Sequence, residues 1–143
     1  MTVTFIKADE PVPADARPSL VVHLIVAATD ELAWDKAYRI LADLQADAGD
    51  EPPPADPEAR RLLDLAARGE HHDRALWTPI ITATNAAEPP ALVGSYATVA
   101  AALRDYAEAG CELIVLRGFD PVVDAFDHER FVLPLVRRSP VTP

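Results

Sequence analysis

The stretch Ala91–Pro121, ALVGSYATVAAALRDYAEAGCELIVLRGFDP, constrains the fold more than any other part of the chain. Ala91–Val93 is a short apolar run that Gly94 ends. Ser95 suits a helix N-cap, because its hydroxyl can accept a free backbone N–H of the first turn. Val99, Ala102, Leu103 and Tyr106 then recur at the i, i+3, i+4, i+7 spacing of a buried helical stripe. Gly110 suits the left-handed cap that stops the helix. Glu112–Leu116 is almost wholly apolar and β-branched in its middle, as expected of a strand covered on both faces. Asp120-Pro121 opens another helix, an N-cap followed by proline at the first helical position. The order strand–helix–strand–helix is the grammar of an α/β fold. Ligand chemistry in such folds sits in loops at the carboxyl ends of strands, here Gly94-Ser95 and Arg117–Asp120.

The remaining chain supplies further pieces of the same kind. Leu20–Val26, LVVHLIV, is the clearest strand, apolar except for His23. Thr29 or Asp30 caps a helix with an apolar face of Ala33, Ala37, Ile40, Leu41 and Leu44, ending near Ala48-Gly49. Asp50–Pro57, DEPPPADP, is a stiff acidic connector. Pro57–Arg68 reads as a second helix burying Leu62, Leu63, Leu65 and Ala66. Gly69–Asp73 is a polar break, and Ala75–Ala83, interrupted by Pro79, is a loop or short helix. Thr84–Pro90, TNAAEPP, is a second loop; loops of this size beside regular units are more often functional or mobile than idle. The last helix, Pro121 to about Val136, is expected to bury Val122, Phe126, Val132 and Leu133. Thr2–Ile6 favours a short strand. The organisation is a lead-in over 1–18 with a proline-rich connector, one domain over 19–137, and a tail over 138–143.

A chain of 143 residues suits one domain. Its formal net charge of −10 argues against nucleic-acid binding and against an anionic membrane surface. The single cysteine, Cys111, precludes an internal disulfide framework and fits a reducing compartment. No apolar run approaches the roughly 18–20 residues of a membrane span, and the amino terminus lacks a secretory pattern, so a cytoplasmic location is expected.

The segment from Leu76 to Val136 resembles the carboxyl-terminal end of the luciferase-like monooxygenases. The family's pattern there is a leucine-tryptophan, a mobile loop, ALVG, a helix bearing VA…L..Y...G, a strand and a GF or GY turn. This chain shows Leu76-Trp77, Ala91–Gly94, Val99-Ala100, Leu103, Tyr106, Gly110 and Gly118-Phe119 at fitting spacings. Upstream, His23, Ile25, Val26, Thr29 and Ala33-Trp34 resemble the family's sixth-strand region, and the match covers about Ser19 to Arg137. The nearest branch is similar to the alkanesulfonate monooxygenases. The resemblance implies an α/β fold that is the carboxyl-terminal portion, about strands 6–8 with their helices, of a (β/α)8 TIM barrel, since a whole barrel takes ~250 residues.

The resemblance implies oxygenation of a small organic substrate by reduced FMN and O2. A reductase supplies the reduced flavin, and a deazaflavin is the other cofactor left open. His23 matches a strand histidine that points into the family's pocket, and is the candidate catalytic residue. Arg117, Phe119, Trp77 and Thr84 are the candidate cofactor- or substrate-binding residues. Val21 and Thr84 stand where the alkanesulfonate branch carries arginines, which argues against sulfonate cleavage. From the residues alone, His23 reads as a core histidine ahead of a catalytic one, Trp77 as a core aromatic, and Arg117 as a surface partner of Asp120 or Asp124; the resemblance brings the two readings of His23 level. Gly94-Ser95 at a helix start is a weak phosphate site. His71-His72 lack a metal-ligand spacing, so no metal is expected. Partners follow from the missing barrel half: a second copy or a companion amino-terminal half. The alternative is a non-catalytic half-barrel that serves assembly.

Overall fold

The computed structural model describes residues 3–7, 10–15, 17–52 and 54–137. Thr2 and the tail over 138–143 lie outside the described residues. Six strands form one sheet: β1 (Thr4–Ile6), β2 (Leu20–Ala27), β3 (His71–His72), β4 (Leu76–Trp77), β5 (Ala91–Ser95) and β6 (Leu113–Arg117). Their spatial order is β1-β6-β2-β5-β4-β3. The first four in that order run parallel, and β4 and β3 close one side antiparallel.

Helices cover both faces, which explains why β2 is apolar on both sides. Alternate residues of a strand point to opposite faces. Val22, Leu24 and Val26 join Leu92, Ile114 and Leu116 in a core under α4 (Tyr96–Glu108) and α6 (Leu133–Arg137). Ile25, Ala91 and Val93 join a second core with Ala33 and Ala37 of α1 (Asp30–Ala46) and Ile80 of α3 (Pro79–Ala83). The connections after β2 and β5 thus leave toward opposite faces, as in doubly wound α/β sheets.

The helix ends follow the sequence. Thr29 accepts the Leu32 N–H, Ser95 the Thr98 N–H and Asp120 the Val123 N–H. Asp56 caps α2 (Pro57–Ala67), whose leucines Leu62, Leu63 and Leu65 are half-buried and not fully enclosed. The expected polar break at Gly69–Asp73 contains β3, and the uncertain run Ala75–Ala83 resolves into β4 and α3. Pro79 stands in the first turn of α3, where its missing N–H costs nothing.

Two expectations need correction. Consecutive barrel strands lie side by side, so strands 6–8 of a barrel would place β5 between β2 and β6. Here β2 lies between β5 and β6, and α4 crosses over it. The described residues therefore form an open, parallel-dominated α/β sheet whose order is not that of a barrel segment. The final helix also differs. It is α5 (Pro121–Asp127), a π-helical turn over His128–Val132, and α6. Val132 and Leu133 are buried as expected, but Val122 is 76% exposed and Phe126 58% exposed. The π turn inserts extra arc and shifts the buried stripe to Asp124, Ala125 and His128. Cys111 precedes β6 and is half-buried.

Candidate functional site

The register aligns five residues in a row across the sheet. His71 stands opposite Trp77, Trp77 opposite Ala91, Ala91 opposite His23, and His23 opposite Arg117. Directly opposed residues share a face of a sheet. Trp77, Ala91 and His23 thus lie on the α1 side, with Arg117 at the end of the row. Neighbouring strands are ~4.8 Å apart, so Trp77 and His23 are separated by about two strand spacings.

His23 is 3% exposed. Its imidazole stacks on Phe119, with ring centroids 4.0 Å apart and planes 13° from parallel. Phe119 arrives there because β6 ends at Arg117, level with His23, and the following turn folds over the strand end. That turn is tight: a Cβ on Gly118 would overlap the Asp124 side chain. Glu88 Oε2 lies 2.8 Å from His23 Nε2. The other ring nitrogen, Nδ1, is buried without a hydrogen-bond partner among the described residues. Burial lowers the His23 pKa, and the Glu88 hydrogen bond and charge offset only part of the shift. The imidazole is therefore neutral at pH 7.

Glu88 belongs to the loop Thr84–Pro90, and that loop is held from several sides. The Thr84 hydroxyl donates to the Ile80 carbonyl at 2.7 Å and accepts the Glu88 N–H at 3.1 Å. Asn85 and Ala86 have φ of 51° and 66°, two successive non-glycine residues in the left-handed region. Such backbone persists only where its surroundings fix it, and it concentrates at functional sites. The Pro90 carbonyl accepts the His23 N–H at 3.0 Å, which seals the loop to β2.

Among the sequence candidates, His23 and Phe119 touch, and Arg117 pairs with His23 in register. Thr84 reaches His23 through Glu88. Trp77 is 1% exposed and packs edge-on against Trp34 and Tyr38, away from His23; its indole N–H has no partner among the described residues. Arg117 is exposed, and Asp124 is engaged elsewhere, accepting the Asp120 N–H and lying 3.7 Å from Lys36 Nζ. The α4 start does not present an open anion site. The Asp30 carboxylate accepts the Ser95 N–H at 2.6 Å, so an anion already sits there. That backbone donor, with Thr98, holds the Asp30 carboxyl below the usual range. His72 bonds the Gly69 carbonyl and His71 packs on Trp34.

Residues 5–113 match the family described as luciferase-like monooxygenase, which is more than half of the chain. The chain belongs to the luciferase-like monooxygenases. The matched span ends at the start of β6 and includes His23, Trp77, Thr84 and Glu88, while Arg117 and Phe119 follow it.

Sequence reasoning missed Glu88, and it missed the buried set Asp124 and His128. Glu88 had one available signal: it is the single acid of TNAAEPP, set by Pro89-Pro90 immediately before a buried strand. The signal for Asp124 and His128 is their i, i+4 spacing within an apolar helix.

Proposed function

We propose that this luciferase-like family member is a flavin-linked oxidoreductase whose reacting groups meet on the face formed by His23, Phe119 and Arg117. The observation that carries the reading is the His23 ring itself: buried, neutral, stacked on an aromatic, with Nδ1 left without a partner. A buried acceptor left unpaired costs free energy, and a substrate or cofactor donor that completes it recovers that cost.

The residues fit a flavin in part. An open crevice of about 390 Å3 shares Arg117 with this face, with Val21, Leu62, Pro89 and Pro90 as apolar walls and the ion pair Glu58–Arg61 on its rim. Apolar walls suit an isoalloxazine ring, and guanidinium groups suit a phosphate. Reduced FMN, when bound, supplies the two electrons with which O2 places one oxygen atom in the substrate and releases the other as water. In this reading Arg117 holds the phosphate, Arg61 being paired with Glu58, Pro89 and Pro90 exclude water, and His23 Nδ1 accepts a proton or hydrogen bond from the reacting partner. A deazaflavin fits the same walls. With Val21 and Thr84 in place of arginines, a sulfonate is not the favoured substrate.

An anaerobic titration with reduced FMN, with a deazaflavin in parallel, tests the reading. Saturable binding that weakens about tenfold in Arg117→Ala supports it. Absence of binding by either cofactor overturns it.

A second reading, a non-catalytic assembly domain, draws support from one feature. Val122, Val123, Phe126 and Phe131 are exposed on one side of the last helical segment. A second copy of the chain or a companion half would cover them.

A further inference from the structure

We propose that Glu88 is a positioning residue for His23: its carboxylate fixes the imidazole as the Nε2–H tautomer, and leaves Nδ1 as the acceptor that meets the reacting partner. The inference rests on the reading that His23 faces the reacting groups, and adds to it which ring nitrogen acts and what sets it.

Glu88 Oε2 lies 2.8 Å from His23 Nε2. An ionised carboxylate only accepts hydrogen bonds, so the nitrogen facing it carries the proton. Burial keeps the ring neutral, and a neutral ring has one N–H. Nδ1 is then a bare lone pair, and it is the atom without a partner among the described residues. Phe119 stacked on the ring face holds the ring plane, and with it the contact of Nε2 with Glu88.

Glu88 is itself fixed. Thr84 accepts its N–H, the left-handed pair Asn85-Ala86 turns the chain toward β2, and the Asn85 amide donates to the Pro52 carbonyl at 2.9 Å. These three features place Glu88 against His23, 65 residues away in sequence. The charged groups that act on His23 are Glu88, Arg117 and Asp124, from the loop, β6 and α5. Glu88 alone hydrogen-bonds the ring among the described residues.

Nitrogen-15 NMR of the His23 ring in the full chain without flavin provides the test. The wild type at pH 7 is expected to show a protonated Nε2 and an unprotonated Nδ1. Glu88→Gln can meet Nε2 with either its oxygen or its NH2, so it loosens the preference for Nε2–H, and without the carboxylate charge the His23 ring titrates at lower pH than in the wild type. Glu88→Ala shows a mixture of both tautomers. An amide fingerprint spectrum unchanged in both variants separates a tautomer effect from loss of fold. A wild-type Nδ1–H tautomer, or a Glu88→Ala ring spectrum identical to wild type, overturns the proposal. Because the measurement uses no flavin, a failed FMN titration leaves this result standing, and an unchanged tautomer leaves FMN binding standing.

Discussion

His23 and His128 are both held neutral by burial, against the pull of neighbouring carboxylates. His128 is fully enclosed. Burial pushes its pKa down to about 4 from 6.5, against the opposing pull of Asp124. The Leu24 backbone also lies near it, but neither ring nitrogen completes a hydrogen bond among the described residues. The unfolded chain binds protons on these imidazoles at higher pH than the folded chain, so stability is complete above about 6.5 and falls as the pH drops toward 4. His128 alone accounts for a loss of roughly 2 kcal/mol between pH 7.5 and pH 5. Urea unfolding at both pH values checks this: His128→Leu, of similar volume and without a titrating group, is expected to remove about that much of the difference. An unchanged difference contradicts it. Phe119 gives a second prediction at this scale. Aromatic pairs contribute about 0.5–1.5 kcal/mol beyond buried area, so Phe119→Leu lowers stability by about 1 kcal/mol. It also moves the His23 ring-proton shifts downfield as the stacked ring is lost, and unmoved shifts contradict the stack.

At the scale of elements, short contacts at strand ends organise the site. Gly118 lets the turn after β6 close on Asp124, and Asp124 ties that turn through the Asp120 N–H and Lys36. Gly118→Ala pushes the turn outward, withdraws Phe119 from His23, and lowers the thermal midpoint by several degrees, measurable by calorimetry. A midpoint equal to wild type sinks this account of the turn. Ser95→Ala removes the cap of α4 and is expected to cost ~1 kcal/mol in urea unfolding. Local signals of this kind were legible in the sequence: Thr29, Ser95 and Asp120 cap the helices they precede, and the apolar runs of β2, β5 and β6 are strands. The two-residue strands β3 and β4 were not legible, because two residues carry no periodicity and their pairing is set by β5. The burial of the last helix was misread for a related reason. A regular 3.6-residue period places Val122 and Phe126 inward, and the π turn that rotates the stripe leaves no mark in composition.

At the scale of the whole molecule, local grammar fixes parallel strands but not their order. The strand–helix–strand unit allows β6 to land beside β5 or beyond β2, and the same apolar faces are buried either way. The site depends on that choice. Glu88 and Thr84 reach His23 through the β5 side, whereas Arg117 and Phe119 reach it only because β6 adjoins β2. The Asp30 carboxylate at the start of α4 is also a long-range product, linking residues 65 apart in sequence. The exposed side of Val122, Val123, Phe126 and Phe131 belongs to this scale too. If a second copy covers it, Phe126→Glu shifts the chain to monomer in sedimentation, and an unaltered distribution removes that surface from the account. The most direct measurement is the set of backbone nuclear Overhauser contacts of β6. The account predicts interstrand contacts from Ile114, Val115 and Leu116 to Leu20, Val21 and Val22, with ring-to-ring contacts between His23 and Phe119. Contacts from β6 to β5 in their place, with the His23 and Phe119 rings silent toward each other, would contradict it.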